Sequence, residues 1–141
     1  MKILILSAAK SIHTVKWVNA FAERGHKVFL ISIKGHEPKE NTLHRNVKFY
    51  SLKYGGTMGY YLNALELSTL KKKIAPDVIN VHYASGYGTL ARIAKISPYI
   101  LSIWGSDVYD FPNESKLKRI ILKKNVKNAY MLASTSNCMA E

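Results

Sequence analysis

The chain has 141 residues and a mass of 15.9 kDa, enough for one domain with its own core and too short for two. Hydrophobic residues make up 48% and charged residues 21%, which excludes a disordered chain. The net charge of +12 suits phosphate-bearing partners, whether nucleotide, nucleic acid or anionic lipid.

The lone cysteine, Cys138, excludes an internal disulfide framework and a cysteine-based zinc site, and points to a reducing compartment. Met1 to Leu6 opens like a secretory signal, but Ser7 and Lys10 break its apolar run too early. No stretch approaches the ~20 apolar residues of a membrane span.

Strand and helix signals then alternate. Lys2 to Ser7 reads as a strand buried on both faces. Val15, Val18, Phe21 and Ala22 recur at helical spacing, closed by Gly25. His26 to Ile33 is the second strand, and Asn46 to Leu52 the third, after a polar loop with Pro38 and Asn41. Tyr54 to Tyr61 reads as a flexible aromatic loop overlapping a single helix from Tyr60 to Ile74, which Pro76 ends. Asp77 to His82 is the fourth strand, Thr89 to Ile96 a short helix, and Tyr99 to Trp104 the fifth strand. Asn113 caps a helix to Lys127, and Tyr130 to Ala133 is the sixth strand. Ser136-Asn137 opens a further helix that Glu141 cuts short, as in one half of a two-domain protein.

Such alternation predicts an α/β domain with a Rossmann-like, doubly wound parallel sheet of about six strands. Ligands of that fold bind at the carboxyl ends of the strands. The loops after strands one, four and five share that edge and carry Lys10, Ser11, His13, Thr14, Ser85, Gly86, Gly88, Ser106, Asp107 and Asp110, with His82 at its strand's end. No Gly-x-Gly-x-x-Gly follows the first strand, which argues against a nicotinamide dehydrogenase, and no Walker loop is present. Gly86 and Gly88 form either a backbone approach to phosphate or a plain tight turn. His13 and His82 are equally open to a functional or a structural role, whereas His26, His36 and His44 read as solvated or structural. Asp107, directly after Gly105-Ser106, is favoured over Asp110 as a base or hydroxyl ligand. Lys116, Arg119, Lys123 and Lys127 fall on one helical stripe. With the nearby aromatics, that stripe suits an anionic membrane or single-stranded nucleic acid.

Asp77-Val78-Ile79-Asn80-Val81-His82-Tyr83-Ala84-Ser85-Gly86-Tyr87-Gly88, then Leu101-Ser102-Ile103-Trp104-Gly105-Ser106-Asp107, resembles glycosyltransferase family 4. The opening Met1-Lys2-Ile3-Leu4 and Ala22-Glu23-Arg24-Gly25-His26-Lys27-Val28 are similar to the same family. The resemblance implies that residues 1–141 are the N-terminal, acceptor-side domain of a retaining, hexosyltransferase-type enzyme of GT-B fold. Its C-terminal donor-binding domain is then missing from this chain, and the isolated domain is expected to be inactive. It implies a nucleotide-sugar donor, a glycan or lipid-linked acceptor, and neither metal nor further cofactor.

Asp107 and His82 then stand as catalytic candidates, and Lys10, Ser11, His13, Ser85, Gly86, Gly88, Trp104, Gly105 and Ser106 as substrate-binding candidates. Trp104 replaces a histidine that many members carry, and the usual glycine-rich first loop is absent. The basic stripe becomes a membrane-facing surface, without nucleic acid as a partner. The expected setting is the cytoplasm, peripheral to the inner face of the membrane, in capsule, polysaccharide or lipopolysaccharide assembly. The alternative is a non-enzymatic basic module that binds nucleic acid or an anionic membrane.

Overall fold

A computed structural model describes residues 1–103 and 116–134. Among them are six strands in one all-parallel sheet, in the order β3-β2-β1-β4-β5-β6. The strands are β1 (Lys2–Leu6), β2 (Lys27–Lys34), β3 (Val47–Gly55), β4 (Val78–His82), β5 (Ile100–Ile103) and β6 (Met131–Ser134). The helices are α1 (Ile12–Glu23), α2 (Gly56–Leu62), α3 (Ala64–Ile74), α4 (Gly86–Ala94) and α5 (Lys116–Asn128). The expected Rossmann-like α/β sheet is therefore present.

Alternation along the central strands builds two cores. Ile3 and Ile5 of β1 join Val28 and Leu30 of β2 beneath Val18 and Ala22 of α1. Leu4, Leu6, Ile31 and Ile33 face the other way, into the larger cluster with Leu67 of α3, Leu90 of α4 and Leu122 of α5. Fully burying each of these valine, leucine and isoleucine side chains contributes about 1.5–3 kcal/mol before entropy is counted. β1 pairs with β2 on one edge and with β4 on the other, with Ile3 opposite both Val28 and Val78. The winding direction reverses between β1 and β4, which opens a crevice at their carboxyl ends.

The segment from Tyr54 to Tyr61 departs from its expected flexible loop: β3 runs to Gly55 and α2 begins at Gly56. Its glycines are there for contact. A Cβ on Gly55 would lie 2.6 Å from the Lys34 carbonyl oxygen, and one on Gly59 2.6 Å from that of Tyr54. Gly56, at φ +66°, makes the corner that a side chain would strain. The single helix expected from Tyr60 to Ile74 is two, broken at Asn63. The Asn63 amide donates to the Tyr54 carbonyl at 2.8 Å and accepts from the Tyr54 N–H at 3.0 Å, tying the junction back to β3. Helix α4 starts at Gly86, earlier than expected. The expected cap at Asn113 and the helix opening at Ser136 lie outside the described residues.

Candidate functional site

The loop after β1 is held by short polar side chains. Ser32 Oγ donates to the Ser7 carbonyl and accepts from the Ala9 N–H at 3.0 Å. The Ser7 and Thr14 hydroxyls meet at 2.6 Å in the buried interior, and the Lys10 N–H reaches the His36 carbonyl at 3.1 Å. This pinning places Lys10, Ser11 and His13 at the start of α1. Ser11 occupies the N-cap in extended geometry without a side-chain cap, and the first turn holds no acid. The positive end of the helix dipole therefore lies at the crevice. Lys10 and His13 are exposed and Ser11 half-buried.

The loop after β4 is held from the other side. Asn125 of α5 is fully buried. Its Nδ2 donates to the Ala84 carbonyl at 2.9 Å, the Ser85 carbonyl at 3.2 Å and Thr89 Oγ1 at 2.7 Å. Its Oδ1 accepts from Arg92 Nε at 2.8 Å. Tyr83, whose N–H donates to the Ser102 carbonyl and whose carbonyl accepts from the Gly88 N–H, each at 3.0 Å, has φ +80°. Such a backbone is costly for a bulky residue and occurs where neighbours over-determine it, often at functional sites.

Two cavities open at this edge and share Tyr60 and Tyr83. The first, 160 Å³, is lined by Ser7, Ala8, His36, Tyr60, Tyr83 and Tyr87. The second, 180 Å³, lies between α2, the β4 loop and α5, and includes Thr57, Ser85, Gly86 and Lys118. A larger hollow of 580 Å³, with Lys27, Arg45 and Lys48 in its wall, lies at the opposite edge of the sheet, away from the crevice.

The sequence-predicted residues divide between surface, cavity and interior. Ser85 and Gly86 line the second cavity. Gly86 is there because a Cβ would fall 2.5 Å from Cζ of Tyr60. Gly88 lies inward, where a Cβ would meet Asn125 and Leu101 at ordinary distances. His82 is 2% exposed, and burial holds its imidazole down at about 4, so it is neutral near pH 7. Lys116, Arg119, Lys123 and Lys127 are all exposed on α5, with Leu117 and Ile120 exposed among them. Trp104, Gly105, Ser106, Asp107 and Asp110 lie outside the described residues. No three His, Cys, Asp or Glu side chains come together to hold a metal among the described residues.

Sequence reasoning missed His36, Tyr60, Tyr83, Tyr87 and Asn125. His36, expected to be solvated or structural, lines the first cavity and meets the Tyr87 hydroxyl at 2.6 Å. Its position right after β2, whose carboxyl end adjoins that of β1, was the available signal. The Tyr60 and Tyr87 rings meet edge to face, 5.2 Å between centroids.

A Rossmann-like sheet with its crevice between β1 and β4 is common to many chemistries, so sequence relatives decide the family. Residues 2–136 match the model of the family described as glycosyl transferase 4-like. The chain belongs to that family. It is 33% identical over 79 residues to a Bacillus subtilis (strain 168) protein described as a teichuronic acid biosynthesis glycosyltransferase, TuaC; the match takes in 53% of this chain and 20% of that protein. Among solved structures it is similar to Acinetobacter baumannii MurG, with a TM-score of 0.64 at 12% identity over 96% of this chain and 41% of MurG. It is also similar to Bordetella bronchiseptica WbmH, solved with NAD+, with a TM-score of 0.53 at 15% identity over 90% of this chain and 50% of WbmH. These two likenesses concern the fold alone, a Rossmann-like α/β domain. The chain spans half or less of the length of each of these relatives.

Proposed function

We propose that residues 1–141 are the N-terminal, acceptor-side domain of a retaining glycosyltransferase, which moves a sugar from a nucleotide-sugar to a glycan or lipid-linked acceptor. The setting is cell-surface polysaccharide assembly, and the observation that carries the reading is the family match across residues 2–136. The crevice between β1 and β4 supports it. The uncapped, acid-free start of α1, with Lys10, Ser11 and His13, offers N–H groups and positive charge to the donor diphosphate. Asp107 serves as the polar or basic group at the transferred sugar, with Trp104, Gly105 and Ser106, which precede it in the chain, as substrate-binding residues. His82, buried and neutral, acts by hydrogen bonding in its neutral form rather than as a cation. Ser85 and Gly86 shape the acceptor pocket, with Gly88 supporting it from beneath. The reading gives no role to a metal or to any cofactor besides the donor.

A C-terminal domain that closes over the donor would complete the site and exclude water. On α5, Lys116, Arg119, Lys123 and Lys127, with Leu117 and Ile120, form a basic and apolar face suited to an anionic bilayer. Such a face supports a peripheral position on the cytoplasmic side of the membrane, beside lipid-linked acceptors. Among the described residues no helix is long and apolar enough to cross a membrane.

The test is transfer of labelled sugar from uridine or guanosine diphosphate sugars by the full-length protein, with bacterial lipid extract as acceptor. The expected product keeps the donor's anomeric configuration, Asp107→Asn lowers kcat, and residues 1–141 alone turn nothing over. Absence of transfer, together with steeply salt-dependent binding to nucleic acid, would favour a basic binding module instead.

A further inference from the structure

The first cavity is built unlike the rest of the crevice. Three phenol rings, Tyr60, Tyr83 and Tyr87, and Ala8 make most of its wall, and His36 is its one imidazole. A cavity of about 150 Å³ takes benzene, so 160 Å³ open to the crevice receives one face of a six-membered ring and is too small for a nucleoside. Aromatic walls with a few convergent polar groups are the usual makings of a small-molecule pocket.

The polar group is fixed by a three-member chain. The Ile33 N–H donates to the Tyr87 oxygen at 3.2 Å. His36 Nδ1 lies 2.6 Å from the same oxygen and is the acceptor when the phenol donates to it. An Nδ1 that accepts this bond leaves the proton on Nε2. Burial, and then the charge of Lys10, hold His36 below its ordinary range, against the opposing effect of Glu37. Burial raises the Tyr87 phenol far above its own, so it remains a donor. A neutral N–H donor among aromatic rings suits an uncharged hydroxyl-bearing ring better than a phosphate.

We propose that this cavity binds a pyranose ring of the acceptor, stacked on the tyrosines, and that His36, positioned by Tyr87, selects it by donating from Nε2–H to a ring hydroxyl. The proposal rests on the transferase reading for its choice of ligand, and its test keeps the two apart. Saturation-transfer NMR is run on the full-length protein with methyl α-D-glucopyranoside and methyl α-D-galactopyranoside, which differ at one hydroxyl. The wild type saturates the C–H protons of at least one pyranoside. His36→Ala weakens this binding about fivefold, the effect of one net hydrogen bond. His36→Gln, which keeps an N–H donor, restores part of it, and Tyr87→Phe, which removes only a hydroxyl, weakens it. In ¹⁵N-labelled wild type, which needs no variant, His36 shows an unprotonated Nδ1 and a protonated Nε2.

No saturation of either pyranoside, equal saturation in His36→Ala and wild type, or the opposite tautomer would each overturn the proposal. Nucleotide release from sugar nucleotides is scored separately. His36-dependent pyranoside binding without turnover defeats the transferase reading and leaves the pocket standing. Turnover with binding indifferent to His36 does the reverse.

Discussion

Asn125 and His82 are both buried polar side chains, yet they act on stability in opposite ways. Asn125 satisfies the Ala84 and Ser85 carbonyls, Thr89 and Arg92 at once. Asn125→Ala strands several of these groups, and at about 1–3 kcal/mol for each unsatisfied buried group a net loss of about 3 kcal/mol is expected. In urea titration the midpoint falls while the slope stays constant. His82 is a cost that grows in acid. Its folded-state value is held down to about 4 by burial, against an ordinary 6.5, so between those values the unfolded chain binds a proton that the native chain refuses. Stability contributed by neutral His82 is thus complete above pH 6.5 and is lost as pH falls toward 4, by up to about 3 kcal/mol. Unfolding titrations at pH 7 and pH 4.5 should show a smaller difference in His82→Gln than in wild type. His36 titrates in the same direction but is present in both proteins, so the comparison isolates His82.

At the scale of elements, two glycines of one helix that sequence reasoning groups together separate cleanly. Gly88→Ala places its methyl at 3.5 Å or more from Asn125 and Leu101 and gains the helix preference of alanine, so it is neutral or stabilising by up to about 1 kcal/mol. Gly86→Ala gains the same preference but drives its methyl into the Tyr60 ring at 2.5 Å. Overpacking of about 1–3 kcal/mol outweighs it. Paired thermal melts should therefore shift in opposite directions or by clearly different amounts, and displaced Tyr60 should alter the edge-to-face tyrosine signals in NMR. The strands were legible because their apolar runs are local: Ile3 to Leu6 and Val28 to Ile33 announce themselves without a partner. Helix α2 was hidden because Gly55, Gly56 and Gly59 carry the signature of a loop, while Gly55 and Gly59 are there for contact with the Lys34 and Tyr54 carbonyls and Gly56 for its φ of +66°. The crevice was legible from topology through Lys10, Ser11, His13 and Ser85. Its aromatic cavity was not, because His36 takes meaning from Tyr87, 51 residues on, and Tyr83 from a backbone angle that no spacing encodes.

At the scale of the whole molecule, charge and topology carry the consequences. The exposed stripe of α5 faces away from the sheet, so reversing it costs the fold little. The triple variant Lys116→Glu, Arg119→Glu, Lys123→Glu should keep the far-ultraviolet dichroism of wild type. At about 1 kcal/mol per basic side chain near an anionic surface, the full-length variant should bind phosphatidylglycerol vesicles about a hundredfold more weakly, and wild-type binding should fall with added salt.

The double pairing of β1 also governs how the chain is made. Lys2 leaves the ribosome long before Asp77, yet its N–H ends on the Asp77 carboxylate, and Ile3 stands beside Val78. Of the six described strands, the one at the centre of the finished sheet is thus synthesised first and keeps one raw edge until β4 arrives more than seventy residues later. Loop closure over that distance is slow compared with local helix formation, and an open apolar edge invites pairing with another chain. Nascent chains stalled before Val78 should therefore aggregate or be held by chaperones more than chains stalled after Ser134, in which β4, β5 and β6 have all been made.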